Sequence, residues 1–157
     1  MKFSICIPTL NEEKYIGGIL NCLREQTFKD FEVIVVDGKS KDMTKDEVMK
    51  FSNYFSLRFL EAPKRGVSFQ RNYAAKMAKN EYVIFFDADV KIENDFLEKI
   101  NEHLEKENID ILTTWNKPIS DKPVDEFIYL FVNIFMLELI KKKSPGAVGV
   151  FICVKKS

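Results

Sequence analysis

The sequence predicts an α/β fold in which a doubly wound, mostly parallel central sheet is flanked by helices. Short β-rich runs alternate with segments of helical periodicity along the chain, as expected for strands joined by crossover helices. The run Tyr82 to Phe86 is apolar without alternation, which is typical of a strand covered on both faces. Polar residues cluster where strands one, two and four are predicted to end. This predicts a ligand crevice along one edge of the sheet.

The composition is typical of one folded domain with a sizeable core, since 46% of the 157 residues are hydrophobic. Lysine plus arginine and aspartate plus glutamate balance at 24 each, so the net charge gives no indication of a nucleic-acid partner. Cys6, Cys22 and Cys153 lie in apolar patterns without metal-binding spacing, which indicates reduced thiols in a cytoplasmic protein. The first residues enter a strand pattern at once and do not indicate a signal peptide.

The first strand is predicted at Phe3 to Pro8, and the segment after it has helical periodicity. In the intervening turn, Asn11 is predicted to cap the helix, and Glu12 and Glu13 suit the positive end of its dipole. Capping does not explain the whole string Pro8-Thr9-Leu10-Asn11-Glu12. The buried face of the helix is expected to consist of Ile16, Ile19, Leu20 and Leu23.

The second strand is predicted at Phe31 to Val36, and polar residues with a glycine follow it. Such residues directly after a strand let backbone amides approach a ligand closely. Asp37 is the better candidate for function, whereas Ser40 fits an ordinary turn equally well. Thr44 with Glu47 predicts a capping box for the next helix, whose apolar positions are expected to include Val48, Phe51 and Phe55.

A third strand is predicted at Leu57 to Leu60, and a helix at Val67 to Lys79 follows the cation-rich loop Ala62 to Gly66. Arg71 lies in the first half of this helix. Arginine can bind phosphate bidentately, although the helical pattern alone favours an exposed surface cation.

The apolar strand Tyr82 to Phe86 runs into Asp87, Ala88 and Asp89. In an extended backbone, residues i and i+2 point the same way, so the two carboxylates are expected to converge at the end of a buried strand. A hard divalent cation would relieve their repulsion and could carry a phosphate. A solvated acidic turn is the alternative explanation for these three residues.

After Asp89 the sequence predicts a helix and two further strands, the strands at Ile109 to Thr114 and Val150 to Val154. Trp115 either stacks on the base or sugar of a ligand or is a core or rim aromatic. His103 is expected on the helix surface. Asn94 is predicted to cap the helix, whose buried face includes Phe96, Leu97, Ile100 and Leu104.

The run Phe127 to Ile140 is strongly apolar but too short for a relaxed membrane span. Lys141, Lys142 and Lys143 follow it directly. Three interpretations stay open: a core helix, a helix buried in a dimer or against further sequence, and an interfacial helix held by anionic lipid at the cytoplasmic face of a membrane. Peripheral membrane contact or dimerisation through 127–143 is thus an alternative to core burial.

Four segments in series resemble the family 2 glycosyltransferases with the GT-A fold. They are Pro8-Thr9-Leu10-Asn11-Glu12, Val36 to Thr44 (VDGKSKDMT), Gly66 to Asn72 (GVSFQRN) and Phe86-Asp87-Ala88-Asp89, in the family's order. The resemblance implies metal-dependent transfer of a sugar, with inversion, from a UDP- or GDP-linked donor. The acceptor would be a hydroxyl of a glycan, a lipid-linked molecule or another compound.

The resemblance also implies roles for single residues. Thr9, Glu12 and Asp37 match residues that hold the base and ribose, and Arg71 matches a cation close to the phosphates. Asp87 and Asp89 match the metal-associated pair, in which the second carboxylate usually binds Mn²⁺ or Mg²⁺ and the first lies nearer the ribose. Gln70, where relatives often carry alanine, is expected to matter little. The predicted donor-binding set is Pro8, Thr9, Leu10, Glu12, Asp37, Ser40, Arg71, Asp87, Ala88 and Asp89.

The end of the sequence departs from the resemblance, because the acidic pair that supplies the family's catalytic base does not follow Gly146 to Val154. Asp121, Asp125 and Glu126 have no motif behind them. We expect one domain, with a donor-binding portion at 1–115 and a partial acceptor-side portion at 116–157. Alternatives are a nucleotide-sugar-binding fragment without turnover and a sugar-phosphate nucleotidyltransferase, although the triphosphate loop of the latter is not evident.

Overall fold

The computed structural model of the protein describes residues 3–107, 110–114 and 151–156. The strands in this part of the chain are β1 (Phe3–Thr9), β2 (Phe31–Asp37), β3 (Ser56–Glu61), β4 (Tyr82–Phe86), β5 (Ile111–Thr113) and β6 (Phe151–Lys155). The helices are α1 (Ile16–Arg24), α2 (Thr44–Met49), α3 (Val67–Met77) and α4 (Phe96–Lys106).

The strands form one mixed sheet with the order β3-β2-β1-β4-β6-β5. The first four in this order are parallel, and β6 runs antiparallel to both β4 and β5. The predicted α/β fold with a mostly parallel central sheet is therefore confirmed. Because four neighbouring strands share one direction, their carboxyl ends lie along the same edge of the sheet.

Helices cover both faces of this sheet, and alternation along each strand divides the core in two. Ile5 and Ile7 of β1 face a cluster that includes residues of α1, α2 and α4. Cys6, between them, faces a second cluster with Ala74 of α3. These two layers account for the long apolar runs in the central strands, since both faces of each strand are buried.

The predicted cap of α1 is wrong. The helix begins at Ile16, after Tyr15, and no side chain bonds its first turn. Asn11 lies four residues before Tyr15. Its backbone is in the left-handed region, with a φ of 58°, which asparagine tolerates better than most residues. The sequence correctly indicated a polar residue before the helix, but Asn11 lies in the loop and does not cap α1.

The other two predicted caps are also wrong. α2 begins after Met43 without a side-chain cap, and it ends at Met49, so Phe51 and Phe55 pack from the turns beyond it. α4 begins after Asp95, not after Asn94, and the Leu97 N–H in its first turn donates to Gln26 Oε1 at 2.9 Å. Tertiary hydrogen bonds have replaced the local ones that the sequence favours.

Several predictions fall wholly or partly outside the described residues. These are the roles of Trp115 and of the acidic residues Asp121, Asp125 and Glu126, the segment 127–143, and Gly146 to Val150. Of the helices that the structure does describe, none is long and apolar enough to cross a membrane. His103 is exposed on α4, as predicted.

Candidate functional site

Asp37 is the centre of a hydrogen-bonded cluster at the carboxyl ends of β1 and β2. It is the last residue of β2, pairs in register with Thr9 at the end of β1, and is only 4% exposed. Thr9 Oγ1 donates to Asp37 Oδ1 at 3.0 Å, and the Ser40 backbone N–H donates to Oδ2 at 2.8 Å. The Ser40 hydroxyl also donates to Oδ1. Neutral donors thus surround this buried carboxylate, and in the described part of the chain no ion pair involves it.

Two loops are fastened to each other beside Asp37. The Asn11 N–H donates to Ser40 Oγ at 2.8 Å, and the Lys41 N–H donates to Asn11 Oδ1 at 2.8 Å. The Glu12 N–H donates to Thr44 Oγ1 at 2.8 Å. Asn11 and Thr44, predicted as helix caps, therefore hold the loop after β1 to the loop after β2. Such cross-loop bonds preorganise a binding edge, because the loops need not be ordered when a ligand arrives.

Asp87 and Asp89 follow β4 at the same edge of the sheet. The strand ends at Phe86, and Asp87 to Val90 form a turn in which the Val90 N–H contacts the Asp87 carbonyl at 3.4 Å. The expectation that an extended backbone aligns the two carboxylates is therefore wrong. Asp89 is exposed, while Asp87 is half-buried and accepts a hydrogen bond from Arg71 Nη2.

Glu12 lies within the electrostatic reach of this turn. Burial raises the pKa of the Glu12 carboxyl, and the negative charges of Asp89, Asp42 and Asp87 raise it further. The loops after β1, β2 and β4 therefore gather acidic groups at one edge. Such an edge favours a cation or a ligand that brings one. Among the described residues, however, no group of three acidic, histidine or cysteine side chains forms a preassembled metal cage.

Arg71 is a cation at this edge. The helical pattern alone favoured an exposed position for it on the surface of α3. Its side chain is 26% exposed and pairs with Asp87. Its Nε atom is buried without a hydrogen-bond partner in the part of the molecule that is described. A buried donor of this kind lacks the compensation that most buried polar atoms find.

Gln70, expected to matter little, is one of the most buried polar residues of the site at 3% exposure. Its Nε2 donates to the carbonyls of Thr9 and Val36, both at 2.8 Å. The sequence did contain a signal for this burial, because Gln70 shares a helical stripe with Ala74 and Ala78. Arg65 was also missed, and its Nε donates to the Gly38 carbonyl at 3.2 Å.

A separate depression at the opposite, amino-terminal edge of the sheet has a volume of about 190 Å³ and is lined by Asp30, Phe31, Glu32, Ser56, Lys79 and Asn80. Glu32 receives hydrogen bonds from Ser4 and from the Lys79 backbone, and pairs with Arg58 at 3.0 Å. Burial opposes ionisation of Glu32, but these partners outweigh it and lower the pKa of the carboxyl. Its charge is already compensated, so we place the candidate site at the carboxyl-terminal edge.

The chain is similar to known proteins over most of its length. The family model described as "Glycosyl transferase family 2" matches residues 4–154. The poly(ribitol-phosphate) beta-N-acetylglucosaminyltransferase TarS of Staphylococcus aureus is 36% identical over 133 residues, which are 82% of this chain and 23% of that protein.

Two solved structures resemble the chain closely in backbone. Staphylococcus aureus TarS 1-349 in complex with UDP has a TM-score of 0.73 at 36% identity, covering 78% of this chain and 37% of that one. The mannosyltransferase PcManGT from Pyrobaculum calidifontis, in complex with GDP-Man and Mn²⁺, has a TM-score of 0.74 at 25% identity. The match covers 98% of this chain and 44% of that one. The chain thus spans less than half of each of these relatives.

Proposed function

Since the chain belongs to glycosyl transferase family 2 and has the GT-A fold, we propose that it binds a nucleotide-sugar donor at the carboxyl-terminal edge of its sheet. The observation that carries the proposal is the buried Asp37 cluster, in which a carboxylate is oriented by Thr9 and Ser40 and has no cationic partner among the described residues. The UDP and GDP-Man complexes of the relatives support UDP or GDP as the nucleotide. In the whole protein, we propose that the sugar is transferred with inversion to an acceptor hydroxyl.

Within this proposal, the site has a nucleoside end and a phosphate end. Thr9, Asp37 and Ser40 form the nucleoside end and hold the base and ribose, with Pro8, Leu10 and Glu12 on the adjoining strand and loop. Arg71 serves the phosphate end with Asp87, Ala88 and Asp89. The Arg71 side chain is 26% exposed, which supports this role, since an accessible guanidinium can donate to phosphate oxygens.

The acidic side chains fit a divalent cation that is shared with the donor. Mg²⁺ is commonly bound by one or two carboxylates together with substrate phosphates and waters, so a complete protein cage is not required. Asp89 is exposed, and only one oxygen of Asp87 accepts the bond from Arg71. We propose Asp89 as the principal ligand and Asp87 as the second. When bound, Mn²⁺ or Mg²⁺ would supply positive charge that stabilises a departing nucleoside diphosphate.

Transfer also needs a base that takes the proton from the acceptor hydroxyl. Asp121, Asp125 and Glu126 lie outside the described residues, and we assign the base to none of them. Binding of the donor without turnover therefore stays the second proposal for this 157-residue chain. The choice among core burial, dimerisation and peripheral membrane contact for 127–143 stays a proposal from the sequence.

Titration calorimetry with UDP and GDP, with and without Mn²⁺, tests the proposed site. We expect one of the two nucleotides to bind, and to bind more tightly with Mn²⁺. Asp89→Ala should abolish the effect of the metal and leave metal-free binding in place. The matched control is Glu93→Ala. Glu93 is an exposed acidic residue that pairs with Lys99 and lies beyond the turn. Absence of binding to both nucleotides under both conditions would overturn the proposal.

A further inference from the structure

Gln70 ties helix α3, which also carries Arg71 of the proposed phosphate end, to the strands that form the proposed nucleoside end. Its amide has two N–H donors, and they are used by two carbonyls on different strands: Thr9 on β1 and Val36 on β2, each at 2.8 Å. Two carbonyl acceptors require the NH₂ group on that side of the amide, so its orientation is determined by its partners. Gln70 therefore fastens the first half of α3 to the carboxyl ends of two strands.

The space around this amide is filled. The Gly38 N–H donates to the same Thr9 carbonyl at 2.8 Å, so that carbonyl accepts two hydrogen bonds. A Cβ atom at Gly38 would lie 3.2 Å from Gln70 Oε1 and 3.3 Å from Nε2. The loop that follows Asp37 is thus packed directly against the Gln70 side chain.

Arg71, the next residue on α3, reaches the other side of β1. It pairs with Asp87 after β4, and β1 lies between β2 and β4 in the sheet. Two consecutive residues of one helix therefore contact the nucleoside end and the phosphate end. Any shift of α3 relative to β1 and β2 would change the distance between Arg71 and Asp37.

We propose that Gln70 is a positioning residue that sets the spacing between the nucleoside end and the phosphate end of the donor site. This inference rests on the proposed function. A nucleoside diphosphate must contact both ends at once, and its affinity depends on their separation because the second contact is intramolecular. A nucleoside alone or pyrophosphate alone contacts one end and does not sense the separation.

The test compares Gln70→Met with Gln26→Met in the full chain. Methionine keeps the length of the side chain and removes both N–H donors. Gln26 is a matched control, because it is 1% exposed, donates to two backbone carbonyls and lies on the other face of the sheet. Affinities are measured with Mg²⁺ for UDP or GDP, whichever the unmodified chain binds, for its nucleoside and for inorganic pyrophosphate. Urea unfolding of each variant is measured in parallel.

We expect Gln70→Met to raise the Kd of the nucleoside diphosphate about tenfold. The Kd values of the nucleoside and of pyrophosphate should change less than about twofold. Gln26→Met should raise none of the three Kd values. Equal binding of the diphosphate by the unmodified chain and Gln70→Met would overturn the inference. So would equal losses for all three ligands, since these indicate only a damaged fold. Failure of the unmodified chain to bind either nucleotide would overturn the proposed function instead.

Discussion

Glu32 and Asp37 lie five residues apart on β2, and both are buried, yet their surroundings differ. Glu32, 7% exposed near the amino end, is neutralised by Arg58. Asp37, 4% exposed at the carboxyl end, is surrounded by two hydroxyls and one backbone N–H. A buried carboxylate that is paired with a cation is already compensated, and removal of the cation is costly. A buried carboxylate with neutral donors alone has no counterion, so a ligand can still interact with it.

The two ends of β2 therefore serve different purposes. At the amino end, Glu32 ties β1, β3 and the segment after α3 together through Ser4, Arg58 and the Lys79 backbone. At the carboxyl end, the bonds around Asp37 organise loops and leave the edge acidic. Changes at the amino end should therefore affect stability, and changes at the carboxyl end should affect nucleotide binding.

Loss of the amino-end cation should have the largest effect. Arg58→Met leaves Glu32 as a buried charge without its counterion, so we expect the free energy of unfolding to fall by about 3 kcal/mol. Nucleotide affinity should not change. Urea unfolding and UDP or GDP titration measure the two quantities, and Arg58→Lys, which keeps the cation, should lose less stability. A large loss of affinity in folded Arg58→Met would break the division between the two ends.

Asp37→Asn should show the opposite behaviour. The new amide cannot accept all the hydrogen bonds that Thr9 and Ser40 donate, and it removes the charge. We expect nucleotide affinity to fall about thirtyfold, or about 2 kcal/mol, and the free energy of unfolding to change by about 1 kcal/mol. The paired control is Glu32→Gln, for which calorimetry should give an unchanged affinity.

Gly38→Ala should lower the free energy of unfolding by a smaller amount. The added methyl group must displace the Gln70 amide or the Thr9 carbonyl, which lie 3.2 to 3.3 Å away, at an expected cost of about 1 kcal/mol. In a Gln70→Ala background the amide is gone, so the cost should be about 0.5 kcal/mol smaller. A double-mutant cycle in urea measures this coupling, and strict additivity would contradict the contact.

The smallest expected effect is a difference in pH dependence. The pKa of Glu32 is lowered in the folded chain, so its contribution to stability is present above the ordinary value of 4.5 and is lost as the pH falls through the folded pKa. In Glu32→Gln, the free energy of unfolding should therefore fall less steeply as the pH is lowered below 4.5. The pKa of Glu12 is raised, so its contribution is unfavourable above that ordinary value and disappears as the pH falls.

Glu12→Gln should consequently stabilise the chain at pH 7 and have less effect at pH 4. Urea midpoints at both values, measured for the two variants beside the unmodified chain, give the comparison. A flatter acid limb in Glu12→Gln than in Glu32→Gln would reverse the assignment of the two carboxylates.

Particular residues show where sequence reasoning succeeded and failed. The position of Asp37 at the carboxyl-terminal edge was predictable, because it directly follows an apolar run and strand ends in parallel sheets meet at one edge. Asn11 and Thr44 were misread as helix caps, since their partners come from loops about 30 residues away. Gln70 was undervalued because its partners, Thr9 and Val36, become neighbours only when α3 packs on β1 and β2.

Apolar periodicity predicted the alternation of strands and helices and the mostly parallel sheet, because burial of regularly spaced side chains is a property of each segment. The polar residues directly after the strands predicted the polar edge. The packing of the folded chain set which polar groups bond to each other, including the contact between Arg71 and Asp87. These outcomes depend on distances between segments remote in the chain. Hydrogen bonds and ion pairs are formed over a few ångströms, and only packing brings such segments within that range.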